Sequence, residues 1–187
     1  MKTPKIYSYS SFSEFASAGI KESIKEFNPV NELPIIICIG SDLVLGDSLG
    51  PLVGTLLRQN GASAYVYGTL NAPITAKEVE YAKVYLKKIH PNSKIIAIDA
   101  GIGQSDDVGL IKVLNRGLKP GLGVDKNLST IGDISVVGIV AARSVKSVNL
   151  FNYTRLNLVY KMAKIIADGV IDYLEVFKRY NSNIDAV

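Results

Sequence analysis

Two acidic residues of this chain stand at the same kind of place, where a buried strand gives way to a glycine-rich segment. Asp47 lies in "GDSLG" after the apolar run 35–39, and Asp99 directly follows "KIIAI" at 94–98. Two carboxylates in one crevice resist double ionisation, so one pKa rises and the pair titrates jointly. Such a pair can activate water and protonate a leaving group, or hold a divalent metal that activates water.

Glycines lie beside both acids, and serines lie beside Asp47. Glycine allows unusual backbone angles and the close approach of a substrate chain. Asp47 is also expected near the start of the next helix, whose dipole would favour the ionised carboxylate. We therefore predict that substrate contacts the segments around the two acids, and the candidate substrate-binding residues are Gly40, Ser41, Gly46, Ser48, Gly101 and Gly103.

Each acid also has a purely structural interpretation. Asp47 could cap the following helix, because Asp is a favoured N-cap residue, and Asp99 could be a turn residue that ends a strand. Asp133, in "TIGDIS", is a candidate third catalytic acid if its loop reaches the crevice, but it could equally cap a turn. The remaining acids near these segments are predicted to be solvated surface residues: Asp42, Asp106 and Asp107.

The elements that must position these acids follow from apolar spacing. Helical periodicity predicts helices over 12–27, 49–57, about 76–89 and 152–180, the third opened by a capping box at Thr75–Glu78. Apolar runs predict strands at 35–39, 64–68, 94–98, 109–114 and 133–141. Alternating strands and helices indicate a parallel sheet with helical crossovers. The predicted fold is one α/β domain, a three-layer αβα sandwich with a mostly parallel sheet.

The domain is expected to span the whole chain, with four parts. They are an N-terminal helical segment (1–33), a sheet core with the site loops (34–145), a C-terminal helix (150–180) and a frayed tail (181–187). In a doubly wound sheet, ligands bind at the carboxyl edge where the strand order reverses. If the second and third strands flank the first, that point lies between the first and third strands, and both carboxylates face one crevice.

Bulk properties narrow the class of protein. The 187 residues are 48% hydrophobic and 20% charged, which is typical of one globular domain. The net charge of +4 comes from dispersed lysines without interleaved aromatics, so we expect no nucleic-acid partner. No apolar run is long enough to span a membrane, and the N-terminus lacks the apolar region of a secretory signal. The lone Cys38 is predicted to be an inert buried thiol in a reducing cytoplasm.

Four segments together resemble the YyaC family of sporulation proteins from spore-forming Firmicutes. They are "CIGSDLVLGDSLGPLVGTLL", "VYGTLNAPI", "IIAIDAGIG" and "IGDISVVGIVA", and the resemblance covers roughly residues 33–145. Two of these features also occur, more distantly, in two peptidase families, the germination protease of spores and the hydrogenase maturation endopeptidases. The features that are similar are the glycine loop with its acid and the later strand that is followed by Asp-Ala-Gly. This similarity implies a phosphorylase/hydrolase-like α/β fold.

Position by position, Asp47 matches the acid of the glycine loop in both peptidase families, and Asp99 matches the acid after the later strand. The resemblance implies that these are the catalytic carboxylates of a germination-type protease, or metal ligands as in the hydrogenase peptidases. In the hydrogenase peptidases a histidine after the second acid is the third metal ligand, and this chain has no histidine after His90. They also have Gly-Asn where this chain has Gly40-Ser41. His90 precedes the third strand, so we predict a structural role for it, and a nickel-sensing hydrogenase peptidase is not expected.

These observations favour a sporulation-associated peptidase that cleaves a protein or peptide, in the cytoplasm of the sporulating cell or spore. The proposed chemistry requires no cofactor, although binding of a divalent metal by Asp47 and Asp99 is an open alternative. Assembly into a homo-oligomer is also left open. The alternative is a non-catalytic sporulation protein that binds a peptide or protein partner. Phosphate-binding, serine-triad and structural zinc sites are disfavoured, because the chain lacks the G-x-G-x-x-G, P-loop and G-x-S-x-G spacings and any Cys/His cluster.

Overall fold

The computed structural model describes residues 4–29, 33–120, 129–143 and 154–184. Over these ranges the chain forms six strands, β1 (Ile6–Ser10), β2 (Ile35–Cys38), β3 (Tyr65–Tyr67), β4 (Ile95–Gly103), β5 (Leu110–Leu114) and β6 (Ile134–Ala142). It also forms four α-helices, α1 (Ala16–Phe27), α2 (Leu49–Gln59), α3 (Val79–Ile89) and α4 (Leu156–Ile184).

The strands form one sheet in the order β1-β5-β6-β4-β2-β3. Pairs β2–β3, β2–β4 and β4–β6 are parallel, whereas β5 runs antiparallel to both of its neighbours. Strand β2 therefore lies between β3 and β4, which is the order assumed in the sequence analysis, and the winding of the chain reverses between β2 and β4. The α/β class and the mostly parallel sheet are confirmed.

Helices cover both faces of the sheet and make three layers. Helices α1, α2 and α4 share one apolar core with Ile36 and Cys38 of β2, while α3 packs on the other face with Ile35 and Ile37. All four residues of β2 are buried, as expected for an apolar strand covered on both sides. No helix of the described ranges is both long and apolar enough to cross a membrane.

The N-terminal segment differs from the helix predicted there. Strand β1 precedes α1 and pairs with β5 at the edge of the sheet. Its two tyrosines face α1, where Tyr7 stacks on Phe27 at 5.6 Å and the Tyr9 hydroxyl lies 2.6 Å from Ser23 Oγ. Helix α1 begins four residues later than its apolar spacing suggested, because Phe12 lies exposed outside it.

The C-terminal helix is also displaced from its predicted bounds. Helix α4 begins at Leu156 and continues to Ile184, so it includes part of the tail that was expected to fray; residues 185–187 and 150–153 lie outside the described ranges. Its apolar face is buried against the sheet and the other helices: Val159, Ala163, Ile166, Val170 and Leu174. That face therefore belongs to the core of the domain.

Candidate active site

The turn after β2 places Asp47 at the carboxyl edge of the sheet. Ile39 still donates a hydrogen bond to the Ile98 carbonyl (2.8 Å), but Gly40 turns away and donates to the Ile74 carbonyl (2.9 Å). Gly40 has a φ of +142°, and a Cβ there would collide with the Asp47 carbonyl oxygen. The Ser41 N–H also donates to that oxygen (3.2 Å), so the loop closes on itself and holds Asp47 over the end of β2.

Helix α2 approaches the sheet closely because its inner face has glycines one turn apart. A Cβ on Gly50 would collide with the Ile39 carbonyl oxygen, and one on Gly54 with the Gly68 carbonyl oxygen. A short 3-10 helix at Gly46–Ser48 precedes α2, and no side chain caps the start of either helix. The interpretation of Asp47 as an N-cap is therefore wrong.

Asp99 lies within β4 and does not end it. Strand β2 stops at Cys38, which pairs with Ile98, whereas β6 pairs with β4 as far as Gly103. Asp99 is thus the first residue of β4 beyond the end of β2. The alternative interpretation of Asp99 as a strand-ending turn residue is wrong, because pairing with β6 continues the strand through the acid.

The two carboxyl groups interact electrostatically. Asp99 is only 7% exposed, and burial raises its pKa well above the ordinary value, with a further upward contribution from the negative charge of Asp47. The Ala100 N–H opposes this shift by donating to Asp99 Oδ1 at 2.8 Å. Partial burial also raises the pKa of Asp47, opposed by the Ser41 backbone N–H. Both carboxyls therefore hold a proton more firmly than an isolated carboxyl does, and the effect is larger at the more buried Asp99.

The glycines and serines predicted to bind substrate fall beside both acids, with differing local roles. Gly40, Ser41 and Gly46 belong to the closed Asp47 loop, whereas the buried Ser48 hydroxyl donates to the Leu45 carbonyl at 2.6 Å. Gly101 and Gly103 face side chains of β6, and a Cβ on either would collide with them. These two glycines therefore serve close packing in addition to any contact with substrate.

Asp133 does not join the pair. It lies just before β6, and its Oδ2 accepts a hydrogen bond from the Ile95 N–H at the start of β4 (2.9 Å). Because β4 and β6 are parallel, both starts lie at the amino edge, opposite the crevice. The condition for a catalytic role, a loop that reaches the crevice, is not met, and Asp133 ties the two strand starts together instead.

Neither His90 nor Cys38 contributes a reactive group to the crevice. His90 ends α3, its Nε2 lies 3.0 Å from the Tyr67 hydroxyl, and its ring packs on Tyr65. Cys38 is fully buried within β2, and burial raises the pKa of its thiol far above the range in which thiolates form. The structural interpretation of His90 and the buried thiol predicted for Cys38 both agree with the structure.

A divalent cation at this site would take Asp47 and Asp99 as its protein ligands. Carboxylate oxygens suit hard cations such as Mg²⁺, which is commonly held by one or two carboxylates and completed by water. Within the described part of the chain, no third His, Cys, Asp or Glu completes a cluster of three around such an ion. The residues present therefore fit a water-rich cation and not a closed protein cage.

Comparison with known proteins shows the family. A family model described as "Protein of unknown function (DUF1256)" matches residues 6–169. The chain belongs to this family. It is also similar to "Uncharacterized protein YyaC" of Bacillus subtilis (strain 168), with 40% identity over 137 residues, which cover 73% of this chain and 67% of YyaC. The resemblance to YyaC is confirmed, and the similarity to the two peptidase families stays a prediction.

Two features of this DUF1256 site were missed by sequence reasoning. The first is the segment 68–75, which runs beside the Asp47 turn and accepts the Gly40 hydrogen bond through Ile74. The second is the Ala100 N–H, which holds one oxygen of Asp99. The quoted segment "VYGTLNAPI" pointed to the first, but the second depends on where β2 ends beside β4.

Proposed function

We propose that this protein is a peptidase that hydrolyses a protein or peptide with the Asp47 and Asp99 pair. The observation that supports the proposal most directly is a buried carboxyl of raised pKa beside a second carboxyl, at the switch point of a parallel sheet. Ligands of such sheets bind at that point, and strongly perturbed acids cluster at functional sites.

The two acids have different environments, which divides the chemistry between them. Burial raises the pKa of Asp47 but less than that of Asp99, and the Ser41 N–H favours the ionised form of Asp47. As the more exposed acid, Asp47 is therefore assigned as the general base. Asp99 retains its proton because it is buried beside that negative charge, so it is the general acid. With Oδ1 accepting from Ala100, the proton of Asp99 resides on Oδ2.

The hydrolysis proceeds by addition of water and loss of an amine. Asp47 removes a proton from water as the water oxygen bonds to the peptide carbonyl carbon, and Asp99 donates its proton to the carbonyl oxygen. The C–N bond then breaks, and the nitrogen receives the proton held by Asp47. The former carbonyl oxygen returns its proton to Asp99. One water is consumed, and the products are a carboxylic acid and an amine.

A divalent cation between the same carboxylates would supply Lewis-acid activation of water. Asp47 and Asp99 would hold it, and the loss of one proton from the pair would accompany its binding. Metal-assisted hydrolysis would therefore use the same two residues as hydrolysis by the carboxyl pair alone. Addition of chelators and of divalent cations distinguishes these two mechanisms.

The setting in sporulation belongs to this proposal and rests on the resemblance to sporulation proteins. We place the activity in the cytoplasm of a sporulating cell or of the spore. The second candidate is a non-catalytic protein that binds a peptide or protein partner in the same crevice. The hydrogen bond from Ala100 to Asp99 favours this candidate, because it engages one carboxylate oxygen within the protein itself.

The decisive experiment is a search for new peptide termini. The purified protein is incubated with a proteome-derived peptide library and with a protein extract of bacterial spores, with and without EDTA or added Mg²⁺, Mn²⁺ or Zn²⁺. Mass spectrometry then identifies new termini. Cleavage that is lost in Asp47→Asn and Asp99→Asn, but kept in Asp42→Asn, supports the peptidase; Asp42 is an exposed acid of the same loop. Cleavage that persists in both site variants, or is absent throughout, contradicts it.

A further inference from the structure

Strand β4 is longer than its neighbour β2, and the difference lies at the candidate active site. The last pair between the two strands joins Cys38 and Ile98, whereas β4 continues to Gly103. The part of β4 from Asp99 onward is therefore paired only with β6, although it lies in the middle of the sheet.

The direction of each backbone group in β4 follows from its hydrogen bonds. The carbonyls of Lys94 and Ile98 accept from N–H groups of the β2 segment, at 2.9 and 2.8 Å. The carbonyls of Ile95 and Gly103 accept instead from N–H groups at the two ends of β6, both at 2.8 Å. Even-numbered residues of β4 thus present their backbone groups toward β2, and odd-numbered residues toward β6.

Ala100 and Ile102 continue the even-numbered series beyond the point where β2 has ended. The Ala100 N–H is taken by Asp99 Oδ1. Within the described ranges, no strand pairs with β4 on this side beyond Ile98. This half of β4 is an open strand edge, and one of its donors is occupied by the carboxyl group proposed to do the chemistry.

We propose that the substrate binds as an extended chain along this open edge of β4, hydrogen-bonded to Ala100 and Ile102 in the line that β2 would follow if it continued. Addition of a strand to a sheet edge is a common mode of peptide recognition. The inference rests on the proposed function for the cleavage step, but the binding mode stands on the strand geometry alone.

The edge places a bound chain beside both acids. Its beginning coincides with the Gly40 turn, where Asp47 lies, and Asp99 is the first residue of β4 along it. The five residues from Asp99 to Gly103 span about 16 Å, which accommodates roughly five residues of an extended peptide. A peptide residue entering this edge therefore meets both carboxylates at the end nearest β2.

Binding in this manner also changes Asp99. A peptide carbonyl that accepts the Ala100 N–H displaces Asp99 Oδ1 from that hydrogen bond. Substrate would thus release the proposed general acid from a resting contact within the protein.

The chemistry of the edge selects the class of substrate. A chain must present unpaired backbone N–H and carbonyl groups, which helices and internal strands have already used. We therefore expect unfolded segments, loops or termini of proteins, and not folded domains.

The test uses peptide binding and does not depend on cleavage. Asp47→Asn is used to select binders from a combinatorial library of N-acetylated dodecapeptides, and the same selected peptides are titrated against Asp47→Asn carrying Ile102→Pro. Proline removes the open N–H of Ile102 without removing a hydrogen bond to β6, because that N–H points away from β6. We expect binding to weaken by about tenfold or more.

Two further measurements test the binding mode independently of Ile102→Pro, in case that substitution perturbs the fold. Amide hydrogen exchange of Asp47→Asn should show protection of Ile102 when peptide is added. Single N-methyl groups placed along the peptide should weaken binding at every second position, since alternate residues of a strand face the edge. Equal affinity for the proline variant when its fold is intact, no two-residue period, or no peptide binding at all would overturn the binding mode.

The outcomes separate this inference from the proposed function. Peptide binding at the edge without cleavage by the wild-type protein would retain the binding mode and reject the peptidase. Cleavage by wild-type protein that Ile102→Pro leaves undiminished would retain the peptidase and reject the edge.

Discussion

The buried Asp99 carboxyl lies close enough to Asp47 for the charge of Asp47 to raise the pKa of Asp99. The two residues are 52 positions apart in the chain and meet because β2 and β4 are adjacent parallel strands. One comes from the loop after β2, and the other from the part of β4 that extends past it. The following predictions test this relationship and its consequences.

Removal of the charge at Asp47 should lower the pKa of Asp99. Burial is the largest cause of the raised pKa and the Asp47 charge is the next, so Asp47→Asn should lower it without restoring the ordinary carboxyl value. The measurement is an NMR titration of the ¹³C-labelled Asp99 carboxyl. Asp42→Asn provides the control and should leave the Asp99 titration unchanged. An Asp99 curve unaffected by Asp47→Asn would show that the two groups are not coupled.

The two carboxylates should be individually required for peptide hydrolysis. Asp47→Asn removes the base and Asp99→Asn the acid, and each should reduce kcat by about 10²- to 10⁴-fold, the usual contribution of general acid–base catalysis. The measurement is turnover of a peptide found in the terminus search. Asp133→Asn should retain activity in the folded protein, because Asp133 lies at the other end of the sheet. Equal losses in all three variants would indicate a general structural effect.

Stability should fall as pH rises through the raised pKa values. Both carboxyls hold protons more firmly in the folded protein than in the unfolded chain. Between the ordinary and the raised values the folded state binds more protons, so the free energy of unfolding decreases with rising pH and then levels. Above this window, Asp99→Asn should be more stable than wild type, by a few degrees in Tm, the shift that about 1 kcal/mol produces at this size.

That prediction is checked by thermal unfolding of wild type and Asp99→Asn across the acidic and neutral range. The variant should show a shallower decrease of Tm with pH. If the two curves run parallel, then Asp99 is not the buried acid that the structure describes. Greater stability together with lost activity would be typical of a carboxyl retained for function at a cost to the fold.

The turn at Gly40 should be more sensitive to a side chain than another glycine of positive φ. Gly40→Ala introduces both backbone strain, about 1–3 kcal/mol, and a collision with the Asp47 carbonyl. Gly61→Ala is the matched control, since Gly61 has a φ of +67° but nothing lies within 4 Å of its Cβ position. We expect Gly40→Ala to lose more stability in urea unfolding and to uncouple the Asp99 titration from Asp47. Similar results for both glycines would exclude a specific role for the collision.

Much of the fold was predictable because apolar spacing reports burial directly. The run 35–39 indicated a strand covered on both faces, and its residues are buried in that way. Helix α2 has the predicted start, with two further residues at its end. Strand β1 was missed although Tyr7 and Tyr9 alternate with serines, because a five-residue edge strand has a weak pattern beside a strongly periodic helix.

The candidate site was predicted unevenly, for a reason that lies in strand direction. An acid after a parallel strand lies at the carboxyl edge, as Asp47 does, whereas an acid before one lies at the amino edge. Asp133 precedes β6, so the predicted strand itself already implied the wrong edge for catalysis. Asp99 resembled a strand terminator, because a buried carboxylate is unfavourable and local sequence does not show the pairing partner that continues the strand.

From residue 35 onward, the sequence by itself determined the kinds of elements, their order and the two segments that carry acids, because burial periodicity and glycine are local properties. The tertiary structure decided which acids meet, which one is the more buried, and where β4 extends past β2. Those features depend on strand order and on the unequal lengths of β2 and β4, which are set by contacts between residues far apart in the chain.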